Sequence, residues 1–250
     1  MSNGPEQRKA PWQTAIDALA SVAIVVVCSM LAWTIWTQHH QSQSTQPGNA
    51  RLPKAATELP KEPVSLEGAP ARGNRSARIV VIEYSDFQCP YCGQFARETL
   101  PEIEKKYVDP GKVLLAFRHR PLVGIHPFAM KASEAAECAR RQGKFWEMHD
   151  RLFMKQQELD DTSLLGRAHD IGLNETEFRT CLNGEATSRV KQDDAGGTAV
   201  SIAGTPAFLI GTLQADGRVK VTQRLTGALP LNRFEEVLDT LVTGTQASAR

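Results

Sequence analysis

A buried strand, a Cys-x-x-Cys pair and the start of a helix follow one another in residues 77–95, ARIVVIEYSDFQCPYCGQF. The first part is a continuous apolar run rich in β-branched residues, which is typical of a strand buried on both faces. The amphipathic pattern that follows over residues 92–107 predicts a helix that Pro101 interrupts. This succession places Cys89 at the end of a strand and at the mouth of a helix, which predicts an α/β fold.

The elements after this junction are predicted from their apolar periodicity and turn residues. The patterns give a strand at 112–122, helices over about 125–200, a hairpin formed by 205–211 and 218–225 around Asp216-Gly217, and a last helix at 230–242. We expect one folded domain over residues 78–243, with a helical insertion at about 125–200 and a tail at 244–250.

The N-terminal part carries a candidate membrane segment. Residues 18–36 contain no formal charge and span roughly 28 Å at about 1.5 Å per residue, close to the hydrocarbon thickness of a bilayer. Arg8 and Lys9 precede the segment, so we expect residues 1–14 to stay in the cytoplasm and 15–36 to form a single transmembrane anchor. A cleaved signal peptide is the alternative, although the stretch is longer than a usual signal and ends without a clear cleavage site.

Residues 37–77 have the composition of a tether. They are rich in Gln, Ser, Pro and Gly and contain no aromatic residue, so they have little apolar surface with which to offset the entropy of an ordered chain. We expect a flexible linker that holds the folded domain near the membrane on the extracytoplasmic side.

The cysteine count indicates disulfide chemistry. Of five cysteines, Cys28 falls in the predicted anchor, which leaves four outside. The close spacing of Cys89 and Cys92 makes them the natural local pair, and Cys138 then pairs with Cys181 across the insertion. Two buried free thiols are the alternative for that second pair, but an oxidising compartment favours the disulfide.

Cys89 is predicted to be the reactive sulfur of the local pair. It precedes Pro90, which suits the first turn of a helix, so its sulfur meets unpaired N–H groups and the positive end of the helix dipole. That environment stabilises a thiolate, and an exposed thiolate of low pKa is a good attacking and leaving group in thiol–disulfide exchange. Cys92, one turn inside the helix, is predicted to be shielded and to act as the resolving thiol.

Other ligand classes receive less support. A structural zinc site needs four ligands, yet no second Cys-x-x-Cys exists, and the four histidines of the predicted domain are scattered at His119, His126, His149 and His169. A Cu(I) site formed by the two thiolates alone stays open. A formal net charge of +1 gives no electrostatic argument for nucleic acid. We therefore predict no nucleic-acid partner and no metal centre, with copper binding by the two thiolates as the alternative.

A proline opens the apolar strand of the predicted hairpin, in the sequence Gly204-Thr205-Pro206-Ala207. If the Thr205-Pro206 bond is cis, the turn leaves the backbone groups of Thr205 available to an extended polypeptide substrate. The alternative is a trans proline that only begins the strand.

Taken together, CPYC after the strand, the later GTPAF, the helical segment QGKFWEMHDRLF and the order of elements resemble the DsbA-like thiol-disulfide oxidoreductases. The resemblance implies a thioredoxin-like fold with an inserted helical subdomain over residues 78–243, preceded here by the anchor. It implies that Cys89 is the nucleophile, Cys92 the resolving cysteine and Pro206 a cis proline beside them. Glu83 matches a buried acid that assists proton transfer at the resolving thiol, and a solvent-facing strand residue is the alternative.

The same resemblance implies the substrates and partners. Exported polypeptides would supply thiols or disulfides to a site bordered by Pro90, Tyr91, Thr205 and Pro206, and a membrane partner, either a quinone-linked oxidase or a thiol reductant, would restore the enzyme. No cofactor is implied, and the location would be the periplasmic face of a bacterial inner membrane. Tyr91 stands where strong oxidants of this family carry histidine, so oxidase, reductase and isomerase all remain open, beside a copper-binding assembly protein of a different class.

Overall fold

The computed structural model describes residues 29–34, 36 and 58–247. Residues 29–34 and 36 are helical, whereas most of the predicted anchor and the linker up to residue 57 lie outside the described residues. No helix within the described ranges combines the length and the apolar character that a membrane crossing requires. Residues 58–247 contain the strands and helices of the folded domain.

The sheet has six strands in the order β1-β6-β5-β3-β4-β2. Their bounds are β1 Val64–Ser65, β2 Ala71–Arg72, β3 Ile79–Ser85, β4 Val113–His119, β5 Ala207–Leu213 and β6 Arg218–Thr226. Only β3 and β4 run parallel, and the other neighbours are antiparallel. The predicted strands therefore form the middle of the sheet, with β3 between β4 and β5.

Helices follow the strands in the predicted order, and two π-helical turns interrupt them. The helices are α1 Pro90–Glu98, α2 Leu100–Ile103, α3 Ala129–Arg141, α4 Phe145–Met154, α5 Asp161–Asp170, α6 Glu175–Thr180, α7 Thr187–Ala199 and α8 Leu231–Ala247, and the π-helical turns are Glu104–Val108 and Cys181–Glu185. Pro101 stands in the first turn of α2, so the first helical segment breaks at Thr99. The last helix continues to Ala247 and takes up most of the predicted tail.

The central strands bury both faces, because alternate side chains enter different cores. On one face, Ile79 and Val81 pack with α1, α2 and α8 through residues such as Phe95 and Phe234. On the opposite face, Val80 and Ile82 belong to a second core. A third core, formed by the insertion helices, contains both cysteines of the CPYC motif.

The predicted linker is wrong from residue 58 onward. Within it, β1 pairs with β6 at one edge of the sheet and β2 pairs with β4 at the other. Arg118 holds the segment between these two strands by donating to the carbonyls of Ser65 and Glu67 at 2.8 and 3.0 Å. A strand of two residues is too short to show an alternating apolar pattern in the sequence. The composition of this segment therefore predicted a tether, although single apolar side chains pack on the sheet here.

The Cys138–Cys181 disulfide is confirmed. It joins α3 to the π-helical turn that follows α6, and both residues lie in the insertion core. The bridge closes a sequence separation of 43 residues, which the chain-entropy description equates with roughly 4 kcal/mol of stabilisation. The insertion, and with it the core beneath the CPYC motif, is thereby fastened independently of the reactive pair.

Candidate active site

Cys89 is the residue that caps the N-terminus of α1, and Pro90 occupies the first helical position. The turn before it is closed by the Cys89 N–H, which donates to the carbonyl of Asp86 at 3.1 Å. A helix start leaves N–H groups without intrahelical partners and concentrates positive potential there. The fold thus places the first sulfur of the motif where a negative charge is stabilised, as the sequence predicts.

The environment of Cys89 lowers the pKa of its thiol to about 5. The largest cause is the hydrogen bond with the Cys92 thiol, and the Thr205 side chain and the backbone N–H groups of Tyr91 and Cys92 add to it, while burial opposes them. The Cys89 sulfur also lies 3.5 Å from the carbonyl oxygen of Thr205, a distance at which the protonated thiol donates to it. At neutral pH this sulfur is therefore a thiolate in the reduced protein.

Cys92 has the opposite character. It is fully buried, and burial together with the neighbouring Cys89 thiolate raises the pKa of the Cys92 thiol well above its ordinary value. Its sulfur accepts a long hydrogen bond from the backbone N–H of Asp86 at 3.5 Å. The prediction that Cys92 is shielded is confirmed, and the two sulfurs of the reduced pair differ strongly in acidity.

The expectation of an openly exposed Cys89 is wrong. Only 4% of the residue remains accessible, although its neighbours Pro90 and Tyr91 are exposed. The Thr205-Pro206 bond is cis, as the resemblance implies, and the turn that contains it brings the Thr205 carbonyl against the sulfur. Within the described residues the backbone of Thr205 makes no hydrogen bond to another backbone group.

Gln156 closes the site from the insertion. Its side-chain amide donates to the carbonyls of Phe87 and Cys89 at 2.9 and 2.8 Å. A Cβ atom on Gly93 would lie 1.9 Å from the Gln156 Oε1 atom, so the glycine after Cys92 leaves the space that this side chain occupies. Sequence reasoning missed Gln156, since an isolated glutamine after a helix carries no recognisable pattern.

Asp86 is a second residue that the sequence analysis missed. Its buried carboxylate accepts from the N–H groups of Gln88 and Leu122 and from Nδ1 of His126, each at 2.8 Å. It therefore ties the loop after β4 to the residues that immediately precede Cys89. Its place in SDFQCPYC is the only sequence signal that could have identified it.

Glu83 is buried rather than solvent-facing, which excludes the alternative considered for it. Burial raises the pKa of its carboxyl to about 7. Neither carboxyl oxygen has a hydrogen-bond partner among the described residues, so no direct bond joins Glu83 to Cys92. Glu83 is thus a buried acid near the motif without a direct hydrogen bond to Cys92.

The part of the chain that the structure describes contains no site with several metal ligands. No group of three or more His, Cys, Asp or Glu side chains converges there. His126 bonds to Asp86, and His149 bonds to Asp150 at 2.8 Å. The donor set nearest the motif consists of the two sulfurs alone.

Comparisons with known proteins agree with this geometry. A family model described as "Thioredoxin" matches residues 65–225. The crystal structure of α-DsbA1 from Wolbachia pipientis is similar with a TM-score of 0.66 and 26% identity, over 75% of this chain and 97% of that one. Oxidised BdbD from Bacillus subtilis shares the fold with a TM-score of 0.62 at 22% identity, over 74% and 99% of the two chains.

A curated relative is similar over a shorter region. The Na(+)/H(+) antiporter NhaA 3 of Salinispora tropica is 41% identical over 149 residues, which are 59% of this chain and 22% of that protein. The chain thus spans about a fifth of the length of this relative.

The acidity of Cys89 predicts its reactivity with a small alkylating agent. Because the pKa of Cys89 is about 5, its thiolate persists at pH 6 and is lost only as the pH falls through about 5. We expect iodoacetamide to modify Cys89 of the reduced protein with a rate that is nearly constant above pH 6 and that falls about tenfold per pH unit well below pH 5. Mass spectrometry locates the adduct. A Cys89 rate that rises only near pH 9 would contradict the assignment, and Cys92 serves as the slow internal control.

Proposed function

The chain belongs to the thioredoxin family and is a DsbA-like member of it, and we propose that it is a thiol–disulfide oxidoreductase that forms disulfide bonds in exported polypeptides. The observation that carries the proposal is the Cys89 sulfur, whose pKa of about 5 contrasts with that of its buried partner. Stabilising one thiolate stabilises the reduced enzyme, which favours transfer of the disulfide to a substrate.

The reaction proceeds by two exchanges. A substrate thiolate attacks the Cys89 sulfur of the oxidised enzyme, the Cys89–Cys92 bond breaks, and Cys92 leaves with the electron pair and takes up a proton. A second substrate thiolate then attacks the substrate sulfur of this mixed disulfide, which releases Cys89 as a thiolate and the substrate as a disulfide. Each cycle oxidises two substrate thiols and reduces one enzyme disulfide, and no prosthetic group takes part.

The oxidase direction is preferred over the two alternatives at the same site. Tyr91 brings no positive charge to the thiolate, yet Cys92, Thr205 and the helix N–H groups lower the pKa of Cys89 without one. A reductase would need a reduced form that gives up its electrons readily, which a strongly stabilised thiolate opposes. Isomerase action would use the same pair with a reductant in place of an oxidant.

A polypeptide substrate fits the surface around Cys89. Exposed apolar side chains lie there on Tyr91 and on the loop after β4, at Val123, Ile125 and Phe128. The backbone N–H of Phe128 donates to Gln88 Oε1 at 2.7 Å, so this loop is fixed against the residues before Cys89. We infer that unfolded substrate lies along the loop through apolar side chains near its cysteine and pairs with the backbone of Thr205 beside Pro206.

The same proposal includes the cellular setting. A structural disulfide in the insertion supports an oxidising compartment. The uncharged segment within residues 15–36 would anchor the enzyme in the inner membrane of a bacterium, with the catalytic domain on the periplasmic side. Reoxidation would come from a quinone-linked membrane partner, whose disulfide accepts the two electrons that the enzyme has taken from its substrate.

Activity on a reduced, unfolded polypeptide tests the proposal. The oxidised enzyme should convert substrate thiols to disulfides, counted by loss of free thiols, and Cys89→Ser should abolish the reaction because no enzyme disulfide can form. Cys92→Ser, incubated with a disulfide-bonded peptide, should accumulate an adduct on Cys89, since the resolving thiol is gone. Equal loss of substrate thiols with wild type and Cys89→Ser would defeat the proposal. Both variants keep the Cys138–Cys181 disulfide, so this second disulfide serves as an internal control.

Replacing Ile125 and Phe128 with serine tests the substrate surface. We expect the double variant to raise KM for the unfolded polypeptide by about thirtyfold, because burying each of the two apolar side chains is worth on the order of 1 kcal/mol. The rate with oxidised glutathione should stay the same, since that small substrate does not extend along the loop. Met154→Ser, another exposed apolar position, is the matched control. A parallel change with both substrates would contradict a role in polypeptide binding.

A further inference from the structure

Cys92 needs a proton acceptor other than the Cys89 sulfur. To re-form the enzyme disulfide, the Cys92 thiol must lose its proton, yet it is fully buried and its pKa is raised well above the ordinary value. Glu83 is the expected acceptor, and its pKa of about 7 suits a group that gains and loses a proton near neutral pH. The two side chains share no hydrogen bond, so a group between them is required.

Ser85 is the candidate for this group. It is the last residue of β3 and lies two residues after Glu83, so both side chains project from the same face of the sheet. The next residue, Asp86, brings its N–H to within 3.5 Å of the Cys92 sulfur. Ser85, Glu83 and Cys92 all have no accessible surface.

The polar atoms of this cluster are not committed elsewhere. Among the described residues, the Ser85 hydroxyl and both oxygens of Glu83 lack a hydrogen-bond partner at ordinary bonding geometry. Buried polar groups are normally paired, and an unpaired one calls for an explanation such as a catalytic role. A hydroxyl is suited to that role because it donates one proton while its oxygen accepts another.

Two other titratable groups lie near the cluster. His119 stands opposite Ser85 on β4; neither of its ring nitrogens has a hydrogen-bond partner among the described residues, and Nε2 lies 3.9 Å from Glu137. Glu104 acts on Glu83 by like-charge repulsion, but its own carboxylate is bonded to Arg72. Glu83 is the acceptor that we favour, because it lies two residues before Ser85 on the same strand and both of its oxygens are unpaired, whereas Nε2 of His119 faces the Glu137 carboxylate.

We propose that Ser85 is a positioning residue whose hydroxyl passes the proton between Cys92 and Glu83. The inference rests on the proposed function and deepens it. When Cys92 attacks the Cys89 sulfur of a mixed disulfide, the bond between Cys89 and the leaving sulfur breaks, and that sulfur departs as a thiolate. The Cys92 proton moves to the Ser85 oxygen, and the Ser85 hydroxyl proton moves to the Glu83 carboxylate. The reverse transfer supplies the proton when Cys92 is the leaving group.

The pKa values of Glu83 and Cys92 both respond to the Ser85 side chain. The Ser85 side chain lowers the pKa of Cys92 and also lowers the pKa of Glu83, in each case against the larger effect of burial. Ser85 is therefore close enough to act on both groups.

The test separates the two steps of the exchange with glutathione. Reduced enzyme reacts with oxidised glutathione at Cys89, and Cys92 then expels glutathione from the mixed disulfide. We expect Ser85→Ala to slow this expulsion by roughly a hundredfold, the lower end of the usual contribution of general acid–base catalysis. The first step, compared with and without Ser85→Ala in a Cys92→Ala background, should stay within about twofold, because the relay moves the Cys92 proton and this step does not involve it.

Ser133→Ala is the matched control. Ser133 is another fully buried serine whose hydroxyl lacks a partner, and it lies in α3, outside the CPYC motif. Its expulsion rate should equal that of the wild type. Neither alanine should lower stability appreciably, because removing an unpaired buried hydroxyl leaves no partner unsatisfied.

A double-mutant cycle with Glu83→Gln tests whether Ser85 acts through Glu83. If both belong to one relay, the double variant is no slower in expulsion than the slower single variant. Multiplying effects, or an unchanged rate in Ser85→Ala, would overturn the relay. If wild-type enzyme forms no mixed disulfide at Cys89, the proposed function itself fails, and that result is distinct from a relay that fails in a functional enzyme.

Discussion

The hydrogen bond between the Cys92 thiol and the Cys89 sulfur is the interaction on which the site depends. It is the largest cause of the low pKa of Cys89, and the same contact contributes to the high pKa of Cys92. One interaction therefore creates both an attacking thiolate and a proton-retaining partner. It exists only because the first cysteine caps α1 and the second lies one turn inside, where burial keeps its proton in place.

The rest of the fold holds that pair in place from three sides. The sheet delivers Cys89 to the end of β3 and the Thr205 turn to the start of β5, which are antiparallel neighbours. The insertion supplies Gln156 and Phe153, whose ring centroid lies 4.8 Å from that of Phe87. Phe87 also packs on Phe117 of β4, with ring centroids 5.4 Å apart. Asp86 binds the loop after β4. These contacts also limit the exposure of Cys89, because only 4% of the residue remains accessible to solvent.

Local patterns allowed much of this to be predicted. The strand, the helix start, the hairpin and the pairing of Cys138 with Cys181 each follow from neighbouring residues or from cysteine arithmetic. The N-terminal arm was missed because β1 and β2 are two-residue strands that depend on backbone pairing and on Arg118, which is distant in sequence. The hydrogen bonds made by Asp86 and Gln156 were missed for the same reason, because their partners are distant in sequence and come together only in the tertiary structure. The low exposure of Cys89 likewise depends on how separate loops meet.

The equilibrium potential of the Cys89–Cys92 couple tests the central claim most directly. It is measured by equilibrating the protein in glutathione redox buffers and determining the fraction that is reduced. If the contacts of Cys89 stabilise its thiolate as described, the reduced form is favoured and the potential is about −120 mV, in the range of strong protein oxidants. A potential of about −270 mV, typical of thiol reductants, would contradict the account.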